Sequence, residues 1–190
     1  MSGNRTVASV IGGDLAGYGA RRCFGLLGTA NFKVTHALAE HGVEFVAARH
    51  EGGAAAMADA YAKATGELTL CSVHSGPGLT NALTGIGEAA KSRTPLVVLA
   101  GDVPTGAVTN NFYIEQADMV RSVGAVSERL HTANSARDDT LRAVTKVVAL
   151  RESRSRPNQG VVTFEHQGLN QRNEVVCTCR RVALMLRRPR

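Results

Sequence analysis

An α/β domain with a doubly wound, mostly parallel sheet and helices on both faces is what this sequence predicts. Two observations lead there. Apolar runs of strand length alternate with segments of helical periodicity over most of the chain, the order that gives parallel strands joined by crossover helices. The run PLVVLAG from Pro95 is also apolar throughout, as a strand covered on both faces must be. The length of 190 residues suits one domain with a full core, and 44% hydrophobic with 20% charged residues excludes wholesale disorder.

The elements follow in order. Thr6 to Ala16 forms a first helix, broken by Gly17 and Gly19, and RCFGLL (Arg22 to Leu27) is a strand ending at Gly28. Asn31 is placed to cap a helix that carries Val34, Ala37 and Leu38 on one face and stops at His41 and Gly42. VEFVAA, Val43 to Ala48, is the next strand, followed by an alanine-rich helix from about Gly53 to Thr65. LTLCSV, Leu68 to Val73, is a third strand that Ser75-Gly76-Pro77-Gly78 turns into the helix Leu79 to Lys91. The unbroken apolar run of PLVVLAG suits a central parallel strand. A polar loop from Asp102 to Gln116 precedes a short strand near Ala125 to Leu130, a helix around Asp138 to Leu150 and a last strand, Gly160 to Phe164. Residues 1–150 are thus expected to form the domain, 151–166 a linker with that last strand, and 167–190 an anomalous basic tail.

Charge and cysteine usage narrow the function. After Gln167 six arginines face Glu174 alone, so the tail carries +5 of the net +6 and the rest is close to neutral. With no aromatic interleaving and no recognisable motif, nucleic acid is not an expected partner. No run approaches the ~20 apolar residues that span a bilayer, so no membrane partner is expected and the location is cytoplasmic. Four cysteines make no disulfide framework, and Cys177 and Cys179, one residue apart, have poor zinc spacing, so no metal is assigned.

Open α/β sheets bind ligands beyond the carboxyl ends of their strands, which directs attention to three strand-to-helix junctions. These are Leu27-Gly28-Thr29-Ala30-Asn31, Arg49-His50-Glu51-Gly52-Gly53 and His74-Ser75-Gly76-Pro77-Gly78. None carries a phosphate-binding glycine motif. Glu51 on its own reads as a first-turn carboxylate favoured by the helix dipole. His50 and His74 could act as acid or base near neutral pH but read first as structural residues, and the glycines serve either close backbone approach or a tight turn.

The segments FGLLG, ARHEGGAAAMADAYAKATG, HSGPGLTNALTGIGEA and TPLVVLAGDVP stand in a distinctive order. Together they resemble the N-terminal pyrimidine-binding domain of thiamine diphosphate enzymes, nearest the acetolactate synthase and benzoylformate decarboxylase group, over about residues 6–150. The resemblance implies that Glu51 is catalytic: its carboxyl group hydrogen-bonds N1′ of the cofactor's aminopyrimidine and so promotes removal of the thiazolium C2 proton. Such a carboxyl needs dry surroundings, and Gly52, Gly53, Ala54, Ala55 and Ala56 offer them. It further implies that Gly28, Glu51, Gly76, Pro77, Gly78 and Asn81 bind the cofactor, although Leu27 replaces the family's proline-like turn and His74 a more usual hydroxyl residue.

Thiamine diphosphate would be shared with a partner domain, and magnesium held only through that domain, because the family's Gly-Asp-Gly motif with its later Asn pair is missing here. The implied reaction acts on a small 2-oxo acid, as a transferase or lyase. It requires a diphosphate-binding domain or subunit in a homo- or hetero-oligomer, so the chain is not expected to be active alone. A non-catalytic partner domain or truncated inactive remnant is the alternative, and a generic nucleotide-binding α/β domain a third. The change to arginine-rich sequence beyond Gly160-Val161-Val162 suits a truncated or frame-shifted product, while a natural small subunit stays open.

Overall fold

Thr6 opens the first helix, α1 (Val7–Gly17), with a capping box in which its hydroxyl accepts from the Ser9 amide and the Ser9 hydroxyl accepts from the Thr6 amide. The computed structural model describes residues 5–104, 106–107, 109–139, 142–152, 159–169 and 175–186. They fall into two compact units that divide between Arg137 and Asp138.

In the first unit β1 (Arg22–Gly25), β2 (Glu44–Ala47), β3 (Thr69–Val73) and β4 (Leu96–Ala100) form a parallel sheet of order β2-β1-β3-β4. The crossovers are α2 (Phe32–Glu40), α3 (Glu51–Thr65) and α4 (Pro77–Ser92). Successive strand residues point to opposite faces, so Cys23 and Leu70 join Leu15, Leu38 and Val43 under α1 and α2, while Phe24 and Cys71 join Ala54, Ala58, Leu79 and Ile86 under α3 and α4. This is the doubly wound architecture expected. The chain goes from β1 outward to β2 and then returns through α3 to β3 on the other side of β1, which puts the reversal of strand order between β1 and β3.

Several expected elements shift. β1 ends at Gly25, two residues before the expected Leu27, and α4 begins at Pro77, whose missing amide hydrogen is tolerated in a first helical turn. β4 is an edge strand rather than a central one: among the described residues it pairs only with β3, and its apolar run reflects two covered faces, not two strand neighbours. No strand forms over 125–130; Val126 is 95% exposed and Arg129 instead pairs with Asp102. Sequence periodicity also missed α5 (Gln116–Ser122), and α6 (Ala133–Asp139) runs across the unit boundary.

The helix expected over 138–150 is mostly strand. In the second unit β5 (Arg142–Glu152), β6 (Gln159–Leu169) and β7 (Val175–Leu186) form an antiparallel sheet of that order. Val144, Thr145, Val147 and Val148 are β-branched, which favours a pleated strand once β6 supplies the pairing partner. The expected strand Gly160 to Phe164 lies inside β6, which runs antiparallel between β5 and β7.

Close approach of α3 and α4 positions the site described below. A Cβ built on Gly85 of α4 would stand 2.7 Å from the Ala55 Cβ of α3. Replacing Gly85 by valine should therefore overpack this contact and lower unfolding free energy by about 1–3 kcal/mol, read from urea denaturation.

Burial pushes the thiols of Cys23 and Cys71 up to about 12, with the neighbouring Cys71 adding to the first and the Glu51 charge to the second. Iodoacetamide at pH 8 should leave both unmodified in the native chain and label both in denaturant, as peptide mass spectrometry would show. Because folding raises these values from 9.0, the associated stability is fully present below about pH 9 and is lost as pH rises toward about 12.

Candidate functional site

The site is built where β1, β2 and β3 release their chains at the carboxyl edge of the sheet. After β2, His50 occupies the N-cap of α3 and its Nδ1 accepts from the Gly52 amide at 3.0 Å, which leaves Glu51 as the first helical residue. Glu51 is buried, at 5% exposure. A buried carboxylate requires partners, and Asn81 on α4 supplies one: its Nδ2 donates to Glu51 Oε2 at 3.0 Å. The other oxygen, Oε1, is bordered by Gly78, where an added Cβ would stand 3.0 Å from Oε1 and 2.8 Å from the His74 Cβ. A side chain at position 78 would thus fill the space beside the acid.

After β3, the turn His74-Ser75-Gly76 leads into α4. Gly76 has φ of 60° and ψ of −112°, a conformation that favours glycine, and the Phe112 carbonyl lies where a Cβ would be. Its amide donates to Gln116 Oε1 at 3.2 Å, while Gln116 Nε2 donates to the Gly101 carbonyl at 3.0 Å. One carboxamide therefore ties the end of β3 to the end of β4. The His74 ring packs at 5.0 Å on Phe112, and its Nε2 lies 3.3 Å from the Thr29 hydroxyl.

After β1, Gly28 lies against the His74 ring, which occupies the place a Cβ would take. Asn31 stands at the N-cap position of α2, as expected, but its side chain makes no cap hydrogen bond. It is fully buried and accepts from the Gly28 amide at 2.8 Å, while its Nδ2 donates to the Leu26 carbonyl at 3.0 Å and to Ser72 Oγ at 2.9 Å. Thr35 completes the network, 3.1 Å from Ser72 Oγ. Asn31 thus staples the loop after β1 to β3 across the switch point.

Of the six expected cofactor-binding residues, the structure brings Glu51, Gly78 and Asn81 into one cluster with Gly76 and Pro77 on the adjoining turn, and Gly28 joins that turn through His74. Reading the sequence missed Gln116 and Phe112, which approach from a long loop with no motif, and misassigned the partners of Asn31. Among the described residues no cluster of three His, Cys, Asp or Glu side chains could hold a metal, and no helix is long and apolar enough to cross a membrane.

The family model for the thiamine pyrophosphate enzyme N-terminal TPP binding domain matches residues 5–122. This chain belongs to that family. It is 40% identical over 114 residues to the acetolactate synthase isozyme 3 large subunit of Escherichia coli (strain K12), covering 60% of this chain and 20% of that protein. It is 41% identical over 86 residues to a probable 2-ketoarginine decarboxylase of Pseudomonas aeruginosa, covering 45% of this chain and 15% of that protein. A further alignment, 28% identical over 174 residues, covers 83% of this chain and 44% of an uncharacterized 42.6 kDa protein of Pseudomonas amyloderamosa. The chain thus spans about a fifth of the acetolactate synthase subunit.

The residues at this junction fit a thiamine pyrophosphate group. Glu51 is buried with one oxygen paired to Asn81 and the other beside Gly78, which adds no side chain of its own there.

Removing the Asn31 staple should be felt at once. Asn31→Leu keeps the branched shape and the number of side-chain heavy atoms but leaves the Gly28 amide without its acceptor and removes the Asn31 donor from Leu26 and Ser72. The expected loss is about 1–3 kcal/mol in thermal or urea unfolding.

Proposed function

We propose that this chain is the pyrimidine-binding part of a thiamine diphosphate-dependent enzyme acting on 2-oxo acids, an acetolactate synthase-like transferase or a decarboxylase, in which Glu51 is the catalytic acid–base residue. The observation that carries this reading is the buried Glu51 carboxylate beside Gly78, within the residues that the family model matches. The synthase and decarboxylase names of its relatives support the substrate class.

When bound, the cofactor supplies a nucleophilic carbon for the carbonyl group of the 2-oxo acid. Glu51 holds a proton in common with the N1′ nitrogen of the pyrimidine, and its dry setting keeps water from competing for that proton. Gly76, Pro77 and Gly78 on the turn into α4, with Gly28 on the loop after β1, would line the pyrimidine site beside Glu51. The diphosphate end and its magnesium belong to a separate domain or subunit, joined to this one in a homo- or hetero-oligomer. The length of the relatives beyond the fifth matched here leaves room for such a domain.

Glu51→Gln keeps size and hydrogen-bonding capacity but has no acidic proton to share. With a diphosphate-binding domain supplied in trans and 2-oxo acid consumption restored, the substitution should reduce turnover by about 10²–10⁴, and exchange of the cofactor C2 proton for deuterium should slow in parallel. Near-normal turnover and exchange in this variant would reduce Glu51 to a helix-start carboxylate.

A further inference from the structure

A carboxyl group that shares one proton has two oxygens, and the chemistry depends on which of them carries it. The Asn81 Nδ2 group can only donate, and it donates to Glu51 Oε2 at 3.0 Å. A proton on Oε2 would weaken that oxygen as an acceptor, so the bond favours Oε2 as the carbonyl-type oxygen and leaves the proton to Oε1. Oε1 is also the oxygen beside Gly78, where an added Cβ would stand 3.0 Å from it. The partner is delivered by the close packing of α3 on α4, since a Cβ on Gly52 would already lie 3.0 Å from the Asn81 carbonyl.

We infer that Asn81 is a positioning residue that assigns the shared proton of Glu51 to Oε1 and aims that oxygen at the pyrimidine. The inference rests on the reading of Glu51 given above. Asn81 itself then has no need to touch the cofactor. Its amide acts through Glu51, and a substitution there should disturb proton sharing even where the fold survives.

The test uses the full chain as wild type, Glu51→Gln, Asn81→Asp, Asn81→Ala and the double exchange Glu51→Gln with Asn81→Asp. The probe is 4-amino-5-hydroxymethyl-2-methylpyrimidine labelled with ¹⁵N at its ring nitrogens, at millimolar concentration. In the wild type the ring nitrogen that meets Glu51 should move upfield, toward its protonated position. Asn81→Asp sets two carboxylates face to face; at pH 8 it should lower the melting temperature by about 5–10 °C and abolish the upfield shift. The double exchange should restore the melting temperature, because the new amide can donate to the new carboxylate, yet should leave the shift absent. That split separates proton placement from a merely structural bond. Asn81→Ala adds no charge, so it remains informative should Asn81→Asp fail to fold, and it should weaken the probe about tenfold or more.

A full wild-type shift in Asn81→Asp or wild-type affinity in Asn81→Ala, with the shift lost in Glu51→Gln, overturns the role of Asn81 and leaves that of Glu51 standing. Failure of the double exchange to restore the melting temperature, or recovery of the shift in it, likewise removes the assignment. A shift retained in Glu51→Gln, or none in the wild type, overturns the Glu51 reading and the inference with it.

Discussion

The buried carboxylate of Glu51 is the constraint around which the first unit is arranged. A carboxyl group at 5% exposure is stable only if the protein replaces the water it has lost, and here the replacement is the Asn81 amide from a neighbouring helix. That requirement passes to the packing of α3 on α4. The two helices can bring positions 51 and 81 within hydrogen-bond distance because Gly52, Ala55, Gly78 and Gly85 keep their facing surfaces small. Larger residues would separate the helices and leave the acid unpaired.

The pair stands at the carboxyl edge of the sheet, and strand order reverses between β1 and β3, the position at which open α/β sheets take ligands. Two carboxamides hold the loops there. Asn31 joins the loop after β1 to Ser72 of β3, and Gln116 joins Gly76 to the Gly101 carbonyl beyond β4. Each uses a side chain that both donates and accepts: Gln116 satisfies backbone groups of two segments, and Asn31 two backbone groups of its own loop together with the Ser72 hydroxyl. His74 packs against both Gly28 and Phe112.

The Asp102–Arg129 pair and the Gln116 bridge share a further consequence. They bind the segment after β4 back onto the sheet, although it has little regular structure before α5. A segment held by a few polar contacts at sites far apart in sequence carries no periodic signal. This is why the expected strand over 125–130 did not form while an unanticipated helix did.

Local sequence determined the parallel sheet, its helices and the three junctions, because periodic burial and glycine turns are properties of a few neighbouring residues. It also singled out Glu51, Gly76, Pro77, Gly78 and Asn81, since their order is carried by two short segments. Only the tertiary structure decided that β4, among the described residues, lies at an edge, for an apolar run records covered faces and not the number of strand neighbours. It alone turned residues 142–152 into a strand, where β-branched residues met a pairing partner that no local pattern could announce. It also gave Asn31, Gln116 and Asn81 their partners. A carboxamide's role is set by the groups that reach it in space, and these come from positions 41, 40 and 30 residues away.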